Sequence, residues 1–303
     1  MVNCLAVKTV VAFGETLWDL LPSGPVLGGA PCNFAVRVNS LGDRALLVTR
    51  LGRDELGTRA FEEMGRLGLD TALVQWDERK PTGTVPVRVD AKGVPDFTIV
   101  PDVAYDFIEP RPELLEAAAA ADAVCFGTLV QRSAGSRRAL RKVLEAAGGA
   151  LKLLDVNLRK ACCTRETVED ALRRADVVKL NDDELRWLRR EFGLRGRTEA
   201  ALAREAAGRW GLDGVVVTRG ERGAVAAAGG DTVEVPGIRV EVVDTIGSGD
   251  AFSAAFLHLW LEGRPLRECC EAGNALGALV ARTKGATAPV SLLEIELLGG
   301  RKL

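Results

Sequence analysis

The chain has 303 residues, with 40 Lys and Arg against 42 Asp and Glu and a net charge of -2 at pH 7. That length can bury a large core in one big α/β domain or in two smaller units, and the balanced charge excludes a non-specific hold on nucleic acid or on a membrane surface. The seven cysteines show no C-x-x-C spacing, no apolar segment reaches the ~20 residues of a membrane span, and no basic leader opens the chain, so a protein of the reducing cytoplasm is expected.

The first apolar, β-branched run is VKTVVAF at 7–13. The next segment, TLWDLLPSGPV at 16–26, is apolar but too broken by Pro22, Gly24 and Pro25 to form a helix. A glycine cluster follows, LGGAPCNFAVRVNSLGDRALLVTRLG, and within it ALLVTRL at 45–51 reads as a strand. GRDELGT at 52–58 has the spacing of a phosphate-binding P-loop but lacks its lysine. In 82–100, Val85, Val87 and Val89 fall on one face and Thr84, Arg88 and Asp90 on the other; a turn around Gly93 then leads to a strand with Phe97 and Ile99. This is a hairpin with one apolar side. Segments 16–27 and 82–103 together form a small β layer outside the main sheet, serving as a lid or a dimer contact, or an ordinary edge meander.

Further strand-like runs are ADAVCF at 121–126, LKLLDV at 151–156, DVVKL at 176–180 and GVVVTR at 214–219, with helix-length segments such as 133–148 and 198–210 between them. Unbroken apolar strands alternating with helices imply a mostly parallel sheet covered on both faces. A three-layer α/β/α sandwich is therefore expected.

VEVVD at 240–244 reads as one more strand, leading into DTIGSGD at 244–250 and a run with helical spacing of Phe252, Phe256, Leu259 and Trp260. Glycines bring bare N–H groups close to a ligand, and a helix start adds partial positive charge, so the loop is a ready anion hole. Asp250 behind it has two readings: a cap for the helix, or a general base beside the anion site. The dinucleotide pattern G-x-G-x-x-G fails, because Phe252 stands where its third glycine belongs. His258, the one histidine, lies in an apolar helical run and reads as a packed or partly exposed helix residue. Chemistry falls to carboxylates, backbone amides and bound cations.

The glycine cluster, with Gly28, Gly29, Asn33, Gly42 and Gly52 at fixed offsets, and the D-T-x-G-x-G-D loop resemble the two signature patterns of the ribokinase-like carbohydrate kinases, also called the phosphofructokinase-B family. GETLWD, DVNLR at 155–159, NDDE at 181–184, VTRGERG at 217–223 and TKGA at 283–286 extend the similarity over nearly the whole chain. Among members, GETLWDLLP, LGGAPCNFA and DVNLR look most like the fructokinase branch.

The resemblance implies a single ribokinase-like domain over 1–303 with the β layer as its lid, and transfer of the γ-phosphoryl of ATP to a sugar hydroxyl. Asp250 would deprotonate that hydroxyl while the amides of Gly247, Ser248 and Gly249 hold the phosphoryl group. Asp19, Gly28, Gly29, Asn33 and Phe97 would bind sugar, and Arg159 would contact substrate or phosphoryl group unless it simply pairs with Asp155. Asn181, Thr218, Gly220, Gly223, Gly249 and Asn274 would bind nucleotide. Glu184 would help organise Mg²⁺ through water. Backbone carbonyls of Asp244 and Ile246, with segment 281–291, resemble a monovalent-cation site for K⁺. Ala30 and Pro31 stand where members acting on phosphorylated sugars often carry a lysine, so a non-phosphorylated sugar, fructose first, is expected. Another sugar, a sugar acid or a nucleoside is the alternative acceptor, with Trp18, Phe97 and Tyr105 available to stack on a base. A non-catalytic sensor is the reading from another class. A homodimer formed through the lid is also expected.

Overall fold

The computed structural model describes residues 6–89, 95–159 and 162–299. The chain enters through β1 (Thr9–Phe13), turns through a hairpin of β2 (Leu17–Leu21) and β3 (Gly24–Gly28), and runs along α1 (Ala30–Ser40) to β4 (Arg44–Val48). Short β5 (Arg50–Gly52), α2 (Glu55–Arg66) and β6 (Gln75–Asp77) precede a second hairpin, β7 (Gly83–Val89) and β8 (Pro95–Phe97). Helices and strands then alternate through α3 (Pro112–Ala119), β9 (Ala123–Gly127), α4 (Ala134–Ala146), β10 (Leu151–Asp155), α5 (Arg165–Arg174), β11 (Val177–Asn181), α6 (Asp182–Phe192), α7 (Glu199–Trp210) and β12 (Gly214–Thr218). An edge hairpin of β13 (Ala224–Ala228) and β14 (Asp231–Val235) and the helices α8 (Ser248–Leu261), α9 (Leu266–Ala281) and α10 (Leu292–Gly299) complete the described chain.

The main sheet runs β14-β13-β12-β11-β10-β9-β1-β4. Its strands from β4 to β12 are parallel, and β13 and β14 add an antiparallel edge. Because successive side chains point to opposite faces, Val10 and Ala12 join one core with Phe34, Phe252, Phe256 and Leu276. Val11 and Phe13 join the other, with Leu140, Val168, Leu188 and Ala203. Both faces are covered, which is why these strands read as unbroken apolar runs. Along α8, the rings of Phe252, Phe256 and Trp260 stack at 6.1 and 5.4 Å. Gly273 of α9 meets Phe252 where a Cβ would stand only 2.8 Å from the ring, so a glycine there sets how closely the two helices pack.

The second sheet is mixed. Its order is β3-β2-β7-β8, with two antiparallel hairpins joined by a parallel β2–β7 pairing. Val85 is buried against Leu17, Val103 and Tyr105, as the alternation predicts. The turn around Gly93 and the side chains of 87–97, Phe97 among them, lie outside the described residues.

Two expectations need correction. VEVVD forms no strand: 240–244 is a loop with Val242 and Val243 about three-fifths exposed, so its apolar alternation finds no partner strand or core. Trp18 and Tyr105 are buried, the indole Nε1 donating to the Leu56 carbonyl at 2.9 Å, and neither offers an open face to a base. His258 is packed as expected, its Nδ1 2.6 Å from Asp43 Oδ2.

Candidate active site

Starting from β1, the chain builds β4 on one side and then β9 to β12 on the other, so strand order reverses between β1 and β9. Doubly wound sheets bind ligands at such a reversal, outside the carboxyl ends of the strands. A pocket of about 370 Å³, open to solvent, lies there, lined by Glu15 after β1, Gly127 at the end of β9 and Thr128 after it, Asp155 at the end of β10 and Asn157 beyond it, and Asp250. Asn157 is held at φ 42°, a left-handed backbone that Asn tolerates better than most residues.

Helix α8 starts beneath this pocket. Gly247, at the cap position, has φ +80°, and a Cβ on it would stand 2.4 Å from the Ala286 Cβ, so no larger residue fits. No side chain caps the helix. Asp250 turns away from the helix start: its Oδ2 accepts from Asn33 Nδ2 of α1 at 2.8 Å, so capping is not what this carboxylate does. The Oδ1 of Asn33 and the hydroxyl of Ser248 are buried without a partner among the described residues.

A buried charge network supports the loop from below. Lys179 Nζ lies 3.1 Å from both oxygens of Asp155, and would lie 3.0 Å from a Cβ on Gly249. Ser253 Oγ donates to Asp155 Oδ2 at 2.9 Å and lies 3.1 Å from the Gly249 carbonyl. Asp155 therefore pairs with Lys179 from the neighbouring strand, and Arg159 is exposed instead. Desolvation and then the charge of Asp155 push Asp250 up from 3.8 to about 6, while the Asn33 bond, Lys179 and Arg159 pull it down. Burial pushes Glu15 up to about 7. It also raises Asp19, and Arg159 opposes both of these shifts.

Asp19 stands on β2 across from β3, and a Cβ on Gly28 would lie 2.8 Å from its Oδ2. Gly29, at φ +110°, passes so close to the Glu15 carbonyl that a Cβ would stand 2.5 Å from it. Asp250 thus lines the opening itself, Asn33 and Gly29 touch its lining residues Asp250 and Glu15, Gly28 backs Asp19, and the charge of Arg159 acts on Glu15, Asp19 and Asp250. The remaining sequence candidates lie further along the sheet edge. Asn181 and Thr218 are register partners at the ends of β11 and β12. Asn181 Oδ1 accepts from the Glu184 N–H at 2.9 Å, and Glu184 Oε2 accepts from the Asn181 N–H at 2.8 Å. Glu184 Oε1 takes the Leu158 N–H at 2.7 Å. Gly220 and Gly223 bound the turn between β12 and β13, and Asn274 Nδ2 donates to the Pro236 carbonyl at 3.0 Å. Asp244 bonds the Ile246 and Gly285 N–H groups at 3.0 and 3.1 Å.

Residues 25–292 match the pfkB family of carbohydrate kinases. The chain belongs to that family. It is 30% identical over 318 residues to fructokinase-1 of Oryza sativa subsp. japonica, covering 96% of this chain and 97% of that one. It is also 30% identical over 313 residues to 2-dehydro-3-deoxygalactonokinase of Haloferax volcanii, with the same shares covered. Among solved structures, the fructokinase of Xylella fastidiosa with bound ATP superposes with a TM-score of 0.85 at 24% identity, covering 97% and 98% of the two chains.

This pfkB kinase is an ATP-dependent sugar kinase, and its sequence is similar to the fructokinase branch. Among its described residues, no three His, Cys, Asp or Glu side chains gather as a metal site could require, and no helix is long and apolar enough to cross a membrane. A divalent ion would be carried by phosphates and water, as Mg²⁺ usually is; Glu184, with one backbone N–H on each oxygen, fits an approach through water. Sequence reasoning missed Glu15, Lys179 and Ser253, and of its two readings of Arg159 the pairing with Asp155 is set aside, because Lys179 takes that place. The signal for Lys179 was present: a charge inside a strand buried on both faces must be paired.

Proposed function

We propose that this kinase phosphorylates a non-phosphorylated sugar, fructose first, through a pocket covered by the mixed sheet as a lid within one domain over 1–303. The observation that carries the reading is Asp250: a carboxylate with raised proton affinity, held by Asn33 at the pocket and next to an uncapped helix start. Asp250 takes the proton of the acceptor hydroxyl as that oxygen bonds to the γ-phosphorus, and the bond to the β–γ bridging oxygen breaks to release ADP. The amides of Gly247, Ser248 and Gly249 receive charge on the transferring group. Lys179, behind Gly249, adds positive charge without leaving its pairing with Asp155. Mg²⁺ carried with ATP, with Glu184 reaching it through water, would supply positive charge to the phosphate oxygens.

Asp19 and the free Oδ1 of Asn33 supply directional contacts for sugar hydroxyls. Asn181, Thr218, Gly220, Gly223 and Asn274 form the nucleotide side, Glu184 meets Mg²⁺ through water, and Phe97 reaches the sugar from the lid. The buried, unpaired Cys32, Cys125, Cys269 and Cys270 fit a reducing cytoplasm. Exposed Val26 of β3 gives the lid an apolar contact for a homodimer, which sedimentation at assay concentrations tests. A sugar acid is the second reading, favoured by the Haloferax relative's name and by the exposed Arg159 beside Asp19.

The test is ADP release with ATP and Mg²⁺ over fructose, ribose, glucose, 2-keto-3-deoxygluconate, fructose 6-phosphate and adenosine, with Asp250→Asn as control. Preference for fructose, lost in the variant, is expected. Preference for the sugar acid would transfer the assignment to the second reading, and turnover surviving in the variant would overturn the role of Asp250.

A further inference from the structure

Arg37 heads the fully enclosed side chains of the molecule, with 1% of its surface exposed. It stands on α1 one turn after Asn33, in the apolar stretch FAVRV. Its guanidinium donates to the Ala288 carbonyl at 2.8 Å and to the Ala286 carbonyl in a shorter contact, and its Nε has no partner among the described residues. No carboxylate forms an ion pair with it among those residues. Burial pushes its pKa down to about 10, against a smaller upward pull from Asp250, so it is charged at neutral pH. A buried charge satisfied mainly by carbonyl dipoles is an expensive arrangement. A neutral side chain of similar volume would fill the space at lower cost, which points to a use for the charge.

The turn that Arg37 grips packs against the start of α8. The Gly285 N–H donates to Asp244 Oδ2 at 3.1 Å, and the Ala286 Cβ occupies the place a Cβ on Gly247 would need. One face of α1 therefore positions both halves of the site, Asn33 on the base and Arg37 on the turn behind the anion loop. This is also the turn that, with Asp244 and Ile246, resembles a monovalent-cation site. The residues do not fit such an ion. The carbonyls of Ala286 and Ala288, in the segment that would complete such a site beside the Asp244 and Ile246 carbonyls, already face a fixed cation. An ion sharing those carbonyls would meet a like charge in a poorly hydrated setting.

We propose that Arg37 is the built-in cation of this turn, a positioning residue that holds Ala286 against Gly247 and makes phosphoryl transfer independent of K⁺. The inference rests on the kinase reading, and its test has an arm that does not. ADP release with the accepted sugar, and the thermal midpoint of the full chain without sugar, are measured in chlorides of K⁺, Na⁺ and tetramethylammonium at equal ionic strength. Equal kcat within about twofold and a midpoint unmoved by K⁺ are expected. A roughly tenfold rise in kcat, or a midpoint several degrees higher, in K⁺ alone would overturn the proposal. If no sugar in the panel is turned over, the acceptor assignment fails and the midpoint still decides the cation.

Arg37→Ala should lose about tenfold or more in kcat with sugar KM within about threefold, and guanidinium chloride below denaturing levels should restore it. Rescue by guanidinium is a readout that a merely structural role would not move. Arg37→Met, which keeps the packing of the stem, covers an alanine variant that fails to fold; wild-type kcat in Arg37→Met would overturn the proposal.

Discussion

Helices α6 and α8 both begin beside the carboxyl ends of the central strands, and each carries an acid at its third residue, Glu184 in one and Asp250 in the other. In α6 the acid closes on its own backbone: Asn181 and Glu184 exchange bonds in a capping box, and the second oxygen of Glu184 secures the Leu158 N–H. In α8 the cap is Gly247, which has no side chain to offer, and the carboxylate of Asp250 is drawn out of the helix by Asn33. The same chemical group at the same helical position is a structural cap in one place and, in the proposed function, the base in the other. The difference lies in the residue at the cap and in what the neighbouring helix presents. Asparagine at the cap satisfies the first turn, whereas glycine leaves its N–H groups for a ligand.

The contrast breaks most visibly at Asp250. Asp250→Asn should lower kcat by about 10³ while ATP binding, followed by calorimetry, persists. Its stability should show the opposite sign. The folded protein holds a proton on Asp250 between about pH 4 and 6 that the unfolded chain has released, so stability falls as pH rises through that window. The variant should lack that fall and match or exceed the wild type above pH 6 in denaturant titration.

Gly247→Ala tests the open cap. A Cβ at φ +80° against Ala286 should cost ~1–3 kcal/mol and reduce kcat by about tenfold or more, since the amides proposed to hold the phosphoryl group must shift. Wild-type kinetics in this variant would mean that the loop's close approach to Ala286 does not position those amides.

Breaking the closed cap should act on stability. Glu184→Ala leaves the half-buried N–H groups of Asn181 and Leu158 without their acceptor, at a cost of ~2 kcal/mol. Asn181→Ala removes one bond to the Glu184 N–H and should cost ~1 kcal/mol. Urea midpoints for the pair sharpen the comparison, because the reverse order would place the weight of the capping box on Asn181.

Much of this architecture is legible in the sequence, for a physical reason: strands buried on both faces, such as GVVVT and AVCFG, need apolar residues at every position, and helices such as α8 need them at helical spacing. The broken 16–26 segment and the alternating 82–89 segment likewise announce a separate sheet. VEVVD misled because its apolar alternation has the form of a strand, yet nothing in the fold pairs with it. Local pattern cannot report whether a partner edge is available.

The site was legible where it is built from local motifs, the glycine loops and the acids behind them. It was not legible where function depends on contacts between distant segments. Asn33 meets Asp250 across 217 positions and Ser253 meets Asp155 across 98. Lys179 and Arg37 each interrupt an otherwise apolar stretch, and that interruption was the available clue: a charge carried into a core must find a partner, which sequence alone does not name.

The most direct test of the open-acid account is the pH dependence of kcat/KM for phosphoryl transfer, in the wild type and in Glu15→Gln, which removes the neighbouring acid raised to about 7. The account predicts an acid limb with an apparent pKa near 6 in both proteins, as burial and Asp155 raise Asp250 to about that value. A rate that stays level down to the ordinary carboxylate range, or a limb that vanishes with Glu15, would contradict it.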